Sequence, residues 1–325
     1  MNSVRRMLAA LLLLATLTPL LGTLSACAPR RTSRPEDGGQ MEAAVFERLY
    51  RKVPQEQKDR LLQFRATHPY QQITVGGNTW RYIACGHGEQ TLVLLPGASR
   101  QAEATFVLIT LLEDDYRIIV PSYPPVRTMK ELADGIAGIL EAEGVTKASV
   151  WGTSFGGMLA HWFVHRYPQK VDKLILANSG IPMLGKPILA FLRLARYMPT
   201  VADMTLFRQA LSGAETANDS EREFWRARLE ESFALRYTRE DAVACIENSI
   251  DFIEHSAASA APWPGQVLFL ESDRDQSFKP AERQALRDLY PQAQVYVFRN
   301  APHEPWRTHR AEYISVLKGF LGSAL

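Results

Sequence analysis

The sequence predicts an α/β fold: a mostly parallel central sheet flanked by helices, with a helical cap inserted into it. Three observations carry this reading. From about residue 70, short β-branched runs alternate with stretches of helical length and pattern. Two runs, Val93-Leu94-Leu95 and Leu174-Ile175-Leu176, are unbroken apolar, which suits strands covered on both faces. The alternation stops at Ser179 and resumes at Gln266, with helical patterns between.

Each element follows from its own signal. A helical pattern starts at about Met41, with Phe46, Leu49 and Tyr50, then Leu61, Leu62 and Phe64. Gln72–Val75 and Trp80–Ala84 flank Gly76-Gly77-Asn78 and read as a hairpin. Thr91–Leu95 is a strand ending in Pro96-Gly97, and a helical stretch spans Ala102–Leu112. Tyr116–Val120 is β-branched and apolar, and Met129–Glu143 carries Leu132, Ile136, Ile139 and Leu140 at helical spacing. Ala148–Trp151 is a strand, Ser154–Tyr167 a helix stopped by Pro168, and Val171–Ala177 a strand. After the cap come a strand at Gln266–Leu270, a helix near Pro280–Leu289, a strand at Gln294–Phe298 and a helix near Arg310–Leu321. The expected organisation is residues 1–26 as signal peptide, 27–40 as tether, 41–180 and 260–325 as core, and 181–259 as cap.

The N-terminus is read apart from the fold. Arg5 and Arg6 precede an apolar run from Met7 to Leu21, the pattern of a secretory signal. Leu24-Ser25-Ala26-Cys27 resembles the bacterial lipobox, in which the cysteine is acylated after cleavage just before it. The resemblance implies a lipoprotein held to the cell envelope through Cys27, at the outer membrane if the cell has one, since Ala28 and not Asp follows. Two or more acyl chains anchor a protein stably. Residues 28–40, rich in Pro, Gly, Arg and Ser, read as a disordered tether of at most ~45 Å. The net charge of +2 falls to zero when Arg5 and Arg6 are removed, so no electrostatic footprint for nucleic acid is left. Three cysteines, Cys27, Cys85 and Cys245, are too few for a disulfide scaffold and show no zinc-ligand spacing.

The chemistry starts at Gly152-Thr153-Ser154-Phe155-Gly156, a G-x-S-x-G sequence between a strand and a helix. A sharp turn there strains the serine backbone and lifts its hydroxyl above the sheet, over a helix N-terminus. On this motif and its setting the chain resembles the α/β-hydrolase superfamily, from about Tyr70 to Leu321. Tyr116–Gly180, with its Tyr123-Pro124 turn, is similar to the maspardin branch. The resemblance implies Ser154 as nucleophile, then an acid, then a histidine base, in that order. His303 and His309 are the histidines after the cap. His303 lies in the loop after Gln294–Phe298, where the family keeps its base, with Pro302 in the usual glycine position. The acid should follow Gln266–Leu270, in Glu271-Ser272-Asp273-Arg274-Asp275. Asp275 matches the family spacing, and Asp273 and Glu271 are the alternatives. The earlier acid position holds Asn178-Ser179, without a carboxylate.

The oxyanion hole would use the backbone amides of Phe155 and Ala98, the latter in Pro96-Gly97-Ala98-Ser99. This loop lacks the histidine common in the family. His161 and His165 share a helix face, but Trp162 stands where a zinc protease needs Glu. Neither a cofactor nor a metal is expected. The expected function is a serine hydrolase cleaving an ester or related acyl bond of a small, apolar substrate. Ser in place of Asp at the nucleophile argues against dehalogenase or epoxide chemistry. The alternative is a non-catalytic binding lipoprotein on the same scaffold. The apolar cap sequence Ile181–Leu184 and Ile188–Leu192 serves cap packing, an acyl pocket or membrane contact.

Overall fold

A computed structural model describes residues 35–197, 219–255 and 263–322. The signal and lipidation readings on residues 1–27 lie outside these residues. Helix α1 (Pro35–Leu49) is followed by α2 (Gln55–Thr67). Helix α1 starts six residues before the expected Met41, so residues 35–40 belong to a helix and not to the tether. The cause is legible afterwards in the sequence: Pro35 has the fixed φ that suits a first helical position, and the next two residues are acidic, a composition that favours a helix N-terminus.

The hairpin β1 (Gln71–Val75) and β2 (Asn78–Cys85) turns at Gly76 and Gly77, with φ of 57° and 77°. Two successive positive φ values make a type I′ turn, which glycine adopts without strain. Strand β3 (Thr91–Leu95), a 3₁₀ turn at Ala102–Thr105, α3 (Phe106–Leu112) and β4 (Arg117–Ser122) follow. Next are α4 (Met129–Ala142), β5 (Ala148–Thr153), α5 (Phe155–Arg166) and β6 (Val171–Ala177). Helix α4 begins with a capping box in which Thr128 and Glu131 satisfy each other's backbone amides. Between β6 and β7 (Gln266–Ser272) lie α6 (Lys186–Ala195), α7 (Asp219–Leu235) and α8 (Arg239–His255). The chain continues with α9 (Pro280–Arg287), β8 (Gln294–Phe298), α10 (Pro305–Thr308) and α11 (Arg310–Gly322).

The eight strands form one sheet in the order β1-β2-β4-β3-β5-β6-β7-β8. Strands β3 to β8 run parallel, while β1 and β2 are antiparallel to their neighbours. Successive residues of each strand feed opposite cores. Val93, Leu95, Val150, Leu174, Leu176 and Phe269 pack with α4 and α5 on one face. Leu92, Leu94, Trp151, Ile175, Leu268 and Leu270 pack with α1, α2, α3 and α11 on the other. Helix α8 is pinned to the core at several points. Asn248 donates to Val126 O, and Asp251 accepts the Met129 amide at the start of α4. No helix among the described residues is long and apolar enough to cross a membrane.

Candidate active site

The carboxyl ends of β5, β6, β7 and β8 converge on one locality, and every candidate side chain hangs from them. Ser154 sits between β5 and α5 with φ 53° and ψ −120°. A non-glycine residue in that region stores strain, on the order of 1–3 kcal/mol. Backbone and side-chain hydrogen bonds hold it there. Its N–H donates to Ala177 O at 3.0 Å, while its carbonyl accepts from Gly157 N at 3.0 Å and from Ser179 Oγ at 2.9 Å. The flanking glycines leave no room for a side chain. A methyl on Gly152 would meet Gly156 O at 2.1 Å, and one on Gly156 would meet Leu95 O at 2.0 Å. Both obstacles are backbone, so Gly156→Ala is expected to lose about 3 kcal/mol, the upper end for overpacking. A urea unfolding midpoint no lower than that of the wild type contradicts this.

His303 follows β8 on a turn whose Asn300 has φ 54°. Its Nδ1 lies 2.9 Å from Asp275 Oδ1, and the Asp275 side chain is fully buried. Asp275 Oδ1 also accepts the Ser277 amide at 2.7 Å, and the Arg283 guanidinium stands 3.7 Å from Oδ2. The other two carboxylates are occupied elsewhere. Asp273 accepts the Ala301 amide and braces the turn before His303. Glu271 is buried between Arg283 and Arg287. Among the described residues, Asp275 is thus the one carboxylate of the three that contacts His303. His309 caps α10 and pairs with Thr308 Oγ1.

The loop after β3 passes against the serine: a methyl on Gly97 would stand 3.5 Å from Ser154 Cβ. Phe155 is buried at the first position of α5, and Ala98 is half-buried. The Ser154 and His303 side chains are not hydrogen-bonded to each other among the described residues. Such bonds are often long without substrate.

The family model of the alpha/beta hydrolase fold matches residues 90–306, the span that holds all of these groups. The chain belongs to the α/β-hydrolase fold family. It is similar to a 2-hydroxymuconate semialdehyde hydrolase of Pseudomonas putida, at 27% identity over 195 residues, covering 58% of this chain and 66% of that protein. It is also similar to a 2-hydroxy-6-oxononadienedioate/2-hydroxy-6-oxononatrienedioate hydrolase of Paraburkholderia phymatum, at 27% identity over 285 residues, covering 79% of this chain and 96% of that protein. The solved enol-lactonase of Burkholderia xenovorans superposes with a TM-score of 0.64 at 17% identity, over 78% of this chain and all of the other. The last likeness is one of fold. Family and relatives together support hydrolysis as the class of activity.

The structural roles of three residues of this α/β-hydrolase were not foreseen. Asn178, fully buried with φ 41°, donates from Nδ2 to His303 O at 2.6 Å and to Ser272 Oγ at 2.9 Å. It occupies the earlier acid position and there ties the β7 and β8 loops to the end of β6. Tyr123 OH donates to Pro96 O at 3.0 Å, and Arg100 (φ 60°) donates its amide to Gly97 O. The Arg100 guanidinium is buried against Asn248 Oδ1 and Pro124 O, which joins the loop after β3 to helix α8. These contacts hold the loop that lacks the family histidine. His161 and His165 pack on Tyr290. Cys85 and Cys245 are both free thiols.

Burial works against a charged His303, but the Asp275 carboxylate at Nδ1, with Glu304 beyond it, outweighs burial and raises its pKa. A base acts in its neutral form. The acid limb of a kcat/KM–pH profile is therefore expected above the ordinary histidine value of about 6.5. A limb below that value contradicts it. The same raised pKa gives stability that is complete below the unfolded-state value and is lost as pH rises through the folded one.

Proposed function

We propose that this chain is a serine hydrolase that cleaves an ester or related acyl bond of a small, apolar substrate through Ser154, His303 and Asp275. The observation that carries it is the His303–Asp275 pair, held at the strand ends beside a strained serine. Asp275 holds the proton on Nδ1 and leaves the Nε2 lone pair free for the serine. Ser154 Oγ attacks the carbonyl carbon as His303 takes its proton. The Phe155 and Ala98 amides face the developing oxyanion, and one such donor is worth roughly 3 kcal/mol in the transition state. His303 returns the proton to the leaving group, and water then hydrolyses the acyl-enzyme by the same steps in reverse order. The apolar cap sequence Ile181–Leu184 and Ile188–Leu192 is the ground for expecting an apolar substrate. The maspardin-like Tyr123-Pro124 turn supplies the hydroxyl that holds Pro96. The lipobox-like Leu24-Ser25-Ala26-Cys27 supports, as the setting for this chemistry, an exported lipoprotein acylated at Cys27.

A fluorophosphonate probe tests the nucleophile, and chromogenic esters of rising acyl length test the bond. Labelling of the wild type but not of the Ser154→Ala variant is the expected result, with ester turnover. Equal labelling of both, or of neither, replaces the enzyme with the binding-protein alternative. The relatives' names favour a second reading, cleavage of a 2-hydroxy-6-oxo-dienoate. Label with dienoate turnover and no ester turnover selects it. Metabolic labelling with a fatty acid, lost in Cys27→Ser, tests the anchor.

A further inference from the structure

A second cluster of reactive side chains lies at the opposite end of the sheet. His68 is the C-cap of α2, Cys85 ends β2, and Glu113 is the C-cap of α3. Cys85 pairs with Ile118 near the start of β4, whereas the candidate catalytic groups sit at the strands' carboxyl ends. One nitrogen, one sulfur and one carboxylate oxygen from these residues all lie within 4.8 Å of one another. Their positions in the chain follow no zinc motif, and the fold alone assembles them.

We propose that His68, Cys85 and Glu113 form a structural binding site for a borderline-soft divalent cation of the zinc type. The donor set of imidazole, thiol and carboxylate is one that zinc accepts. The imidazole is oriented for it. Its Nδ1 faces Phe64 O at 3.0 Å, so Nε2 is the atom turned to Glu113 Oε2, at 2.6 Å. The ring also stacks on Phe64 at 4.2 Å between centroids. A backbone carbonyl on the far nitrogen is the usual support of a metal-bound histidine.

The surroundings favour positive charge. Two helix C-termini, each the negative end of a dipole, meet at a carboxylate. Gly86 (φ 79°) presses the exit of β2 against this corner, since a methyl there would meet Tyr116 O at 2.1 Å and Glu113 O at 2.8 Å. Tetrahedral zinc ligands stand about 3.3–3.8 Å apart, so shifts on the order of 1 Å would seat the ion, with water as fourth ligand. On binding, Cys85 releases its thiol proton to solvent as the metal–sulfur bond forms. Burial and Glu113 otherwise push that thiol up to about 12, which argues against its acting as a nucleophile. The ion would clasp the first helical pair to the sheet, far from the acyl chemistry.

Cobalt(II) titration of the purified full chain tests this. One equivalent is expected to give a thiolate-to-cobalt charge-transfer band, abolished by zinc and absent in Cys85→Ser but kept in Cys245→Ser. His68→Gln is expected to weaken binding at least about tenfold. Zinc should raise the melting temperature of the wild type and leave its turnover unchanged. X-ray absorption of the zinc-loaded wild type, which needs no variant, should show one sulfur at about 2.3 Å among lighter ligands. The absence of a saturable band, a band that survives Cys85→Ser, or a sulfur-free shell overturns the site and leaves a His68–Glu113 hydrogen bond.

Discussion

Ser154→Ala is expected to reduce kcat by about 10⁶-fold while KM changes less than threefold, since nucleophile and base act as one unit. The hydroxyl forms the bond that breaks, so no neighbour replaces it. Ser179, the adjacent hydroxyl, is already bonded to Ser154 O. The variant keeps its Cβ and therefore its strain at φ 53°. It should melt within a degree or two of the wild type, which separates lost chemistry from lost fold. Ser154→Gly should be equally inactive, yet no less stable than Ser154→Ala, because glycine adopts that φ freely. A residual kcat within tenfold of the wild type would remove Ser154 from the mechanism and leave the fold standing.

Much of the sheet was legible because a strand's signal is local. Thr91–Leu95, Val171–Ala177 and Gln294–Phe298 have the observed bounds, each an apolar or alternating run closed by turn residues. Strand β4 runs two residues past the expected Val120, through Pro121. A proline reads as a stop, but β3 pairs with β4 only as far as Ile119, so Pro121 lacks a neighbour on that side and is tolerated there. The stretch Ala102–Leu112 divides into a 3₁₀ turn and a helix, which periodicity over so few residues cannot separate. Such limits concern boundaries set by tertiary neighbours, and propensity does not see neighbours.

The site was legible where a backbone constraint shows in the sequence. Gly152 and Gly156 announce the elbow because nothing larger fits. The His303–Asp275 pairing rested on family spacing, and geometry now distinguishes it from Asp273 and Glu271. Asn178 left a fainter signal: an asparagine directly after a strand suits positive φ. Arg100 left none. Its partners Asn248 and Pro124 are 148 and 24 residues away, and their meeting is a property of the fold. The His68, Cys85 and Glu113 cluster was hidden in the same way.

Asp275→Asn is expected to lower kcat by about 10⁴-fold with the fold retained, the magnitude seen when a triad carboxylate becomes an amide. The wild-type carboxylate accepts from His303 Nδ1 and from the Ser277 amide through the same oxygen. In the amide, the oxygen is drawn to the Arg283 guanidinium, which faces Oδ2. The NH₂ then takes the place of Oδ1, faces His303 Nδ1 and selects the tautomer that is protonated on Nε2, which cannot take a proton from the serine. The carboxylate also outweighs the burial that lowers the His303 pKa. Without it the acid limb of the remaining activity should move down in pH, opposite to the wild-type displacement. The half-buried Arg283, 3.7 Å from Oδ2, loses a counter-charge as well, so a lower melting temperature is expected. The pH shift distinguishes the roles: Asp273→Asn, whose carboxylate braces the turn at Ala301, should leave the limb where it was. If Asp273→Asn moves the limb and Asp275→Asn does not, the acid has been assigned to the wrong side of the loop.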